Sequence, residues 1–79
     1  MSNHKLELFI RRTCPFCVKV LNYLDRRGIE IPLRDISIDP EAEATLISVG
    51  GKRQVPCLFI DGSPLYESGD IIAWLDENA

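Results

Sequence analysis

The chain has 79 residues, of which 46% are hydrophobic and 27% charged, with a net charge of −3. That length allows a single domain, residues 1–79, and one so short buries only about 60% of its unfolded surface. The acidic balance argues against nucleic acid as a partner, and no apolar run nears the roughly 20 residues of a membrane span, so no membrane is expected either. Met1-Ser2-Asn3-His4-Lys5 lacks the apolar core of a secretory signal, and a cytoplasmic location is the expectation.

Leu6-Glu7-Leu8-Phe9-Ile10 alternates and then turns wholly apolar, as a first strand does. From Pro15 the period changes: Cys17, Val20, Leu21 and Leu24 fall on one helical face, and Gly28 supplies a stop. Ile31 to Ile38 carries apolar residues at 31, 33, 36 and 38 and reads as a second strand. Asp39-Pro40-Glu41 then gives an N-cap acceptor, a proline at the first helical position and an acid at the positive helix end. Ala42, Leu46 and Val49 form the inner face of that helix, and Gly50-Gly51 ends it.

Pro56 to Ile60 is a short apolar run suited to a buried strand. Asp61-Gly62 is a two-residue hairpin signal, since a type I′ turn needs positive φ at both central positions. Ser63 to Tyr66 is then the antiparallel partner, and Ser68 caps a last helix with Ile71, Ile72 and Leu75 inward. The expected fold is α/β, ordered βαβαββα, with a mixed four-stranded sheet flanked by three helices.

Three cysteines, one pair close and Cys57 far away, do not suit a disulfide-stapled secreted fold, which wants an even and denser set. The pair Cys14-Pro15-Phe16-Cys17 instead reads as redox chemistry. With Pro15 at the first helical position, Cys14 is the N-cap, where the free N–H groups of Phe16 and Cys17 and the macrodipole favour thiolate. Cysteines in such places fall from about 8.5 to roughly 3.5–7.5. Arg11, Arg12 and Lys19 reinforce this if they lie near. Cys17 shares the inward face with Val20 and Leu21, so Cys14 attacks and Cys17 resolves. Half a zinc site is the competing reading, but Cys57 and His4 are the only other good ligands and complete no usual spacing, so no metal is expected. Cys57 itself reads as a small buried hydrophobe.

The strand–CPFC–helix start, Val55-Pro56 before an apolar strand, and Gly69-Asp70-Ile71 opening the last helix resemble the dithiol glutaredoxins of the thioredoxin-like superfamily. Glu67-Ser68 and the phenylalanine in CPFC also resemble the N-terminal domain of glutathione transferases. The resemblance implies a cis Val55–Pro56 facing the cysteines, and glutathione as cosubstrate with no tightly bound cofactor. It places the glutathione contacts at Arg11, Phe16, Arg53 (or Lys52), Gln54, Val55, Pro56, Ser68, Gly69 and Asp70. Arg11 would face the glycyl carboxylate, Arg53 (or Lys52) matches the family's basic residue shortly before Val-Pro, and Asp70 would receive the γ-glutamyl ammonium. The charge distribution agrees: Arg11, Arg12, Lys19, Arg26, Arg27, Lys52 and Arg53 carry seven of nine positive charges, and from Asp61 onward there are five acids and no Lys or Arg.

The implied activity is glutathione-dependent reduction of protein disulfides and glutathione mixed disulfides, with glutathionylated or disulfide-bonded proteins as clients of a monomer. Two alternatives stand beside it. One is an electron donor reduced by thioredoxin reductase. The other is a non-catalytic iron–sulfur or metal carrier, against which stand Pro15 and the second thiol.

Overall fold

A computed structural model describes residues 4–78. The chain runs β1 (Leu6–Ile10), α1 (Pro15–Arg27), β2 (Leu33–Asp35), α2 (Pro40–Gly50), β3 (Cys57–Ile60), β4 (Ser63–Tyr66) and α3 (Ser68–Asn78). The strands form one sheet in the order β2-β1-β3-β4. β1 pairs parallel with β2 and antiparallel with β3, and the β3–β4 hairpin adds the second antiparallel edge. This is the expected βαβαββα order and the thioredoxin-like fold.

The period of two along β1 and β3 divides the core into two layers. Leu8, Ile10 and Leu58 face α1 and α3, where Cys17, Val20, Leu24, Ile71 and Leu75 complete the larger cluster. Phe9, Cys57 and Phe59 face the other way, onto Ala42 and Leu46 of α2 and onto Ile36. The rings of Phe9 and Phe59 stand 4.5 Å apart between centroids, which stitches β1 to β3 on that face. Each fully buried side chain of this kind contributes about 1.5–3 kcal/mol, so the central strands anchor whatever is attached to their ends.

The helix punctuation follows the sequence closely. Gly28 ends α1 in the left-handed conformation, with its N–H on the carbonyl oxygens of Asp25 and Leu24. Asp39 caps α2 by accepting from the N–H groups of Glu41 (3.0 Å) and Ala42 (3.3 Å). Asp61 (φ 52°) and Gly62 (φ 86°) both take positive φ, as the hairpin requires.

Three expectations need correcting. The second strand is only three residues long, because the Asp35 carboxylate accepts hydrogen bonds from the N–H and hydroxyl of Ser37 and turns the chain out of the sheet. The apolar alternation runs on across that turn, leaving Ile36 buried but Ile38 79% exposed. Val49 is 53% exposed rather than inward, since α2 buries only a narrow stripe through Ala42 and Leu46. Ser68 does not cap α3 but is its first residue; Glu67 precedes it at φ 73°, and the Glu67 carbonyl oxygen accepts the N–H of Ile71 at 3.0 Å.

Candidate active site

The site lies where β1 leaves the sheet. Phe9 pairs with Cys57, so the Gln54–Pro56 loop that leads into β3 runs beside the exit of β1 towards Cys14. The Val55–Pro56 bond is cis. Arg11 acts as the frame of the turn between. Its carbonyl oxygen accepts the N–H of Cys14 at 3.1 Å, and its own N–H donates to the sulfur of Cys17 at 3.4 Å.

Cys14 is the N-cap of α1, with extended backbone (φ −85°, ψ 121°), and its carbonyl accepts the first helical bond, from Val18 N–H, at 3.0 Å. The sulfur closes no capping hydrogen bond of ideal geometry, contrary to expectation. Partial burial pushes its pKa up. The N–H and thiol of Cys17, the N–H of Phe16 and the charge of Arg11 together outweigh that, and the thiol is held below its ordinary value. Of the three basic residues expected to help, only Arg11 does. Arg12 pairs with Asp35 at 3.4 Å, and Lys19 lines a separate depression on α1 with Asn22, Asp25 and Arg26.

Cys17 is the opposite case. Its side chain is wholly buried, and that burial, reinforced by the neighbouring Cys14 sulfur, pushes its thiol up to about 11. Cys57 is also buried, its thiol pushed up to about 11 by burial, and it lies in the core layer on the opposite face of the sheet from Cys17.

A cleft of about 310 Å³ opens next to this turn, lined by Phe16, Gln54, Val55, Pro56, Glu67, Ser68 and Gly69. Phe16 is 63% exposed on its rim. Six of the residues expected to touch glutathione therefore gather here. Arg11 and Arg53 do not line this cleft; they line an adjoining depression of about 430 Å³ with Ile36, Ser37, Ile38, Asp39, Pro40 and Glu43. Asp70 is exposed in the first turn of α3 and lines neither. Glu67 is a member the glutaredoxin pattern passes over, although the transferase-like Glu67-Ser68 pair pointed to it. The Nε of Arg11 is buried with no hydrogen-bond partner among the described residues, and Arg53 is held by Glu43 at 2.6 Å. No group of three or more His, Cys, Asp or Glu gathers as a metal site among the described residues.

An activated thiol with a second, protonated thiol one helical turn behind it can exchange a disulfide for a pair of thiols, the first sulfur attacking and the second releasing it. This chemistry on this fold places the molecule among the thioredoxin-fold thiol–disulfide oxidoreductases.

Residues 6–65 match the glutaredoxin family, and the chain belongs to it. It is 40% identical over 70 residues to a probable glutaredoxin of Synechocystis, covering 87% of this chain and 80% of that one. Other matching relatives are longer, the chain spanning 58% of glutaredoxin 1 of Rickettsia typhi at 33% identity. Among solved structures, the thioredoxin-like protein BC3987 superposes with a TM-score of 0.78 at 25% identity, over 95% of this chain and all of that one. A buckwheat glutaredoxin–glutathione complex (TM-score 0.72, 20% identity, 96% and 72% covered) and a Tau class glutathione transferase of mango (0.71, 19%, 92% and 33% covered) share the fold.

Proposed function

We propose that this glutaredoxin reduces glutathione mixed disulfides and protein disulfides at the expense of glutathione, with Cys14 as nucleophile and Cys17 as resolving thiol. The observation that carries the reading is the contrast between the two sulfurs: Cys14 is held below the ordinary thiol value and Cys17 is pushed up to about 11. Cys14 thiolate attacks the glutathionyl sulfur of a mixed disulfide, and the client leaves as thiolate. A second glutathione thiolate then attacks that same sulfur, releasing oxidised glutathione and restoring Cys14 thiolate. On a protein disulfide, Cys14 becomes joined to one client sulfur. Cys17 loses its proton and attacks Cys14, expelling the client thiol and leaving a Cys14–Cys17 disulfide for glutathione to reduce.

Glutathione suits the surroundings. Its cysteinyl backbone would lie along Val55 beside the cis proline, with Gln54, Phe16, Ser68 and Gly69 around it. Its glycyl carboxylate would meet Arg11, whose unpartnered Nε is a ready donor, and Arg53. Asp70, on the far side, would draw the γ-glutamyl ammonium. Both free thiols and glutathione belong to a reducing compartment such as the cytoplasm.

The test is turnover of a small glutathione mixed disulfide, with glutathione, glutathione reductase and NADPH, in parallel with a protein disulfide. Cys14→Ser should lose both activities. Cys17→Ser should keep most of the first and lose most of the second, accumulating a Cys14–glutathione adduct that dithiothreitol removes. Turnover supported by thioredoxin reductase and not by glutathione would transfer the function to an electron-donor redoxin.

A further inference from the structure

The Glu43–Arg53 pair lies in the depression that adjoins the cleft. Glu43, in the first turn of α2, brings Oε2 to 2.6 Å from Arg53 Nε, both side chains being partly exposed. Both residues line the 430 Å³ depression beside Arg11, and Arg53 directly precedes the Gln54-Val55-Pro56 loop that walls the 310 Å³ cleft. The neighbouring acids are committed elsewhere. Asp39 caps α2 and stands 3.7 Å from the Nε of Arg34, and Asp35 is bound to Ser37 and Arg12. Glu43 is the carboxylate that reaches Arg53.

We propose that Glu43 is a specificity-determining residue, whose carboxylate holds Arg53 in the free protein and must be exchanged for the carboxylate of the incoming substrate. The inference rests on the reading of Arg53 as a contact for the glycyl end of glutathione. Binding there swaps one carboxylate for another on the same guanidinium. A ligand carrying an acid at that end displaces Glu43, whereas a neutral end leaves the internal pair intact and gains nothing from Arg53. Because the pair is solvated, removing the competitor is expected to shift apparent affinity by about two- to fivefold.

The experiment compares wild type with Glu43→Gln at low salt, using glutathione and its glycyl ethyl ester as alternative reductants of one small mixed disulfide. Glu43→Gln should lower the apparent KM for glutathione about two- to fivefold and leave that for the ester unchanged, with kcat moving less than KM. In an Arg53→Ala background the same substitution should have no effect on either KM, because the contested group is gone. An unchanged or raised KM for glutathione in Glu43→Gln, while the wild type still prefers glutathione to the ester, overturns the inference alone. An equal fall for both reductants overturns it too, since the gain is then a general loss of negative charge. If the wild type treats glutathione and ester alike, the reading of Arg53 fails and the inference falls with it.

Discussion

Burial and local charge set Cys14 and Cys17 far apart although only two residues separate them. The difference fixes which sulfur reacts first as pH rises. Alkylation needs thiolate, so its rate climbs with pH until the thiol is fully ionised. Cys14, lowered, should be labelled by iodoacetamide at neutral pH in the reduced native protein. Cys17 and Cys57, both pushed up to about 11, should resist until strongly alkaline pH or unfolding. Peptide mass spectrometry after labelling across pH 5–9 checks this, and first labelling at Cys17 would reverse the assigned roles. Much of this was legible in the residues: proline after Cys14 fixed the N-cap, and the 17/20/21/24 face fixed the burial of Cys17. Partial burial, the largest influence on Cys14, was not legible, and neither was the smaller one of side-chain charge. Which of Arg11, Arg12 and Lys19 would act on it depended on Asp35, which claims Arg12 from another strand.

The loop between α2 and β3 is held from outside itself. Tyr66, on β4, donates its hydroxyl to the carbonyl oxygens of Gly50 (3.0 Å) and Lys52 (3.2 Å), with the Lys52 ammonium 4.5 Å above its ring. Gly50 permits that approach, since a Cβ there would lie 2.6 Å from the Tyr66 hydroxyl oxygen. Gly50→Ala should therefore destabilise the protein by about 1–3 kcal/mol through overpacking, despite the better helix propensity of alanine. Tyr66→Phe should cost about 1 kcal/mol for the lost hydrogen bonds. Together they should cost clearly less than the sum, because phenylalanine vacates the space the methyl needs. Urea unfolding of the four proteins in the cycle checks this, and strict additivity would mean the backbone shifts instead. The pairing was invisible in the sequence: Gly50-Gly51 read as a helix stop, and Tyr66 lay sixteen residues away. The shortened β2 was hidden for a similar reason, since alternation of apolar residues cannot reveal a turn made by the side chain of Asp35.

At the scale of the whole protein, Arg11 and Arg53 lie in the depression adjoining the cleft, with Asp39 and Glu43 beside them, while Glu67 and Asp70 belong to the α3 side, where no cation accompanies them among the described residues. A substrate negative at both ends and positive at one would sense that division before any contact forms. Arg53→Ala and Asp70→Ala should each raise the apparent KM for glutathione a few-fold, with smaller effects on kcat, and the differences should shrink as ionic strength rises. Steady-state kinetics at low and high salt check this; a salt-independent KM in all three proteins would leave the uneven charge as mere solvated surface. The asymmetry was plain in the sequence, as was the order of the elements. That two adjoining depressions, rather than one, would divide the expected contacts was not, because it depends on where the turn after β2 sets Ile36 to Asp39.

Arg11 joins these threads through parts of the residue that obey different rules. Its N–H and carbonyl hold both cysteines whatever side chain is attached, whereas the charge of its guanidinium lowers the Cys14 thiol and reaches Cys17 and Asp35 as well. Position 11 is thus a tuning dial mounted on a fixed bracket. Lysine, glutamine and glutamate there should raise the pH at which Cys14 is alkylated in that order, as iodoacetamide labelling of the native proteins would show. Proline, which removes the N–H, should instead disturb the seat of Cys17. For anyone wishing to build a family of redox proteins graded in reactivity on a single scaffold, this is the position at which one substitution changes the setting and keeps the backbone mounting, the proposed glycyl contact leaving with the guanidinium.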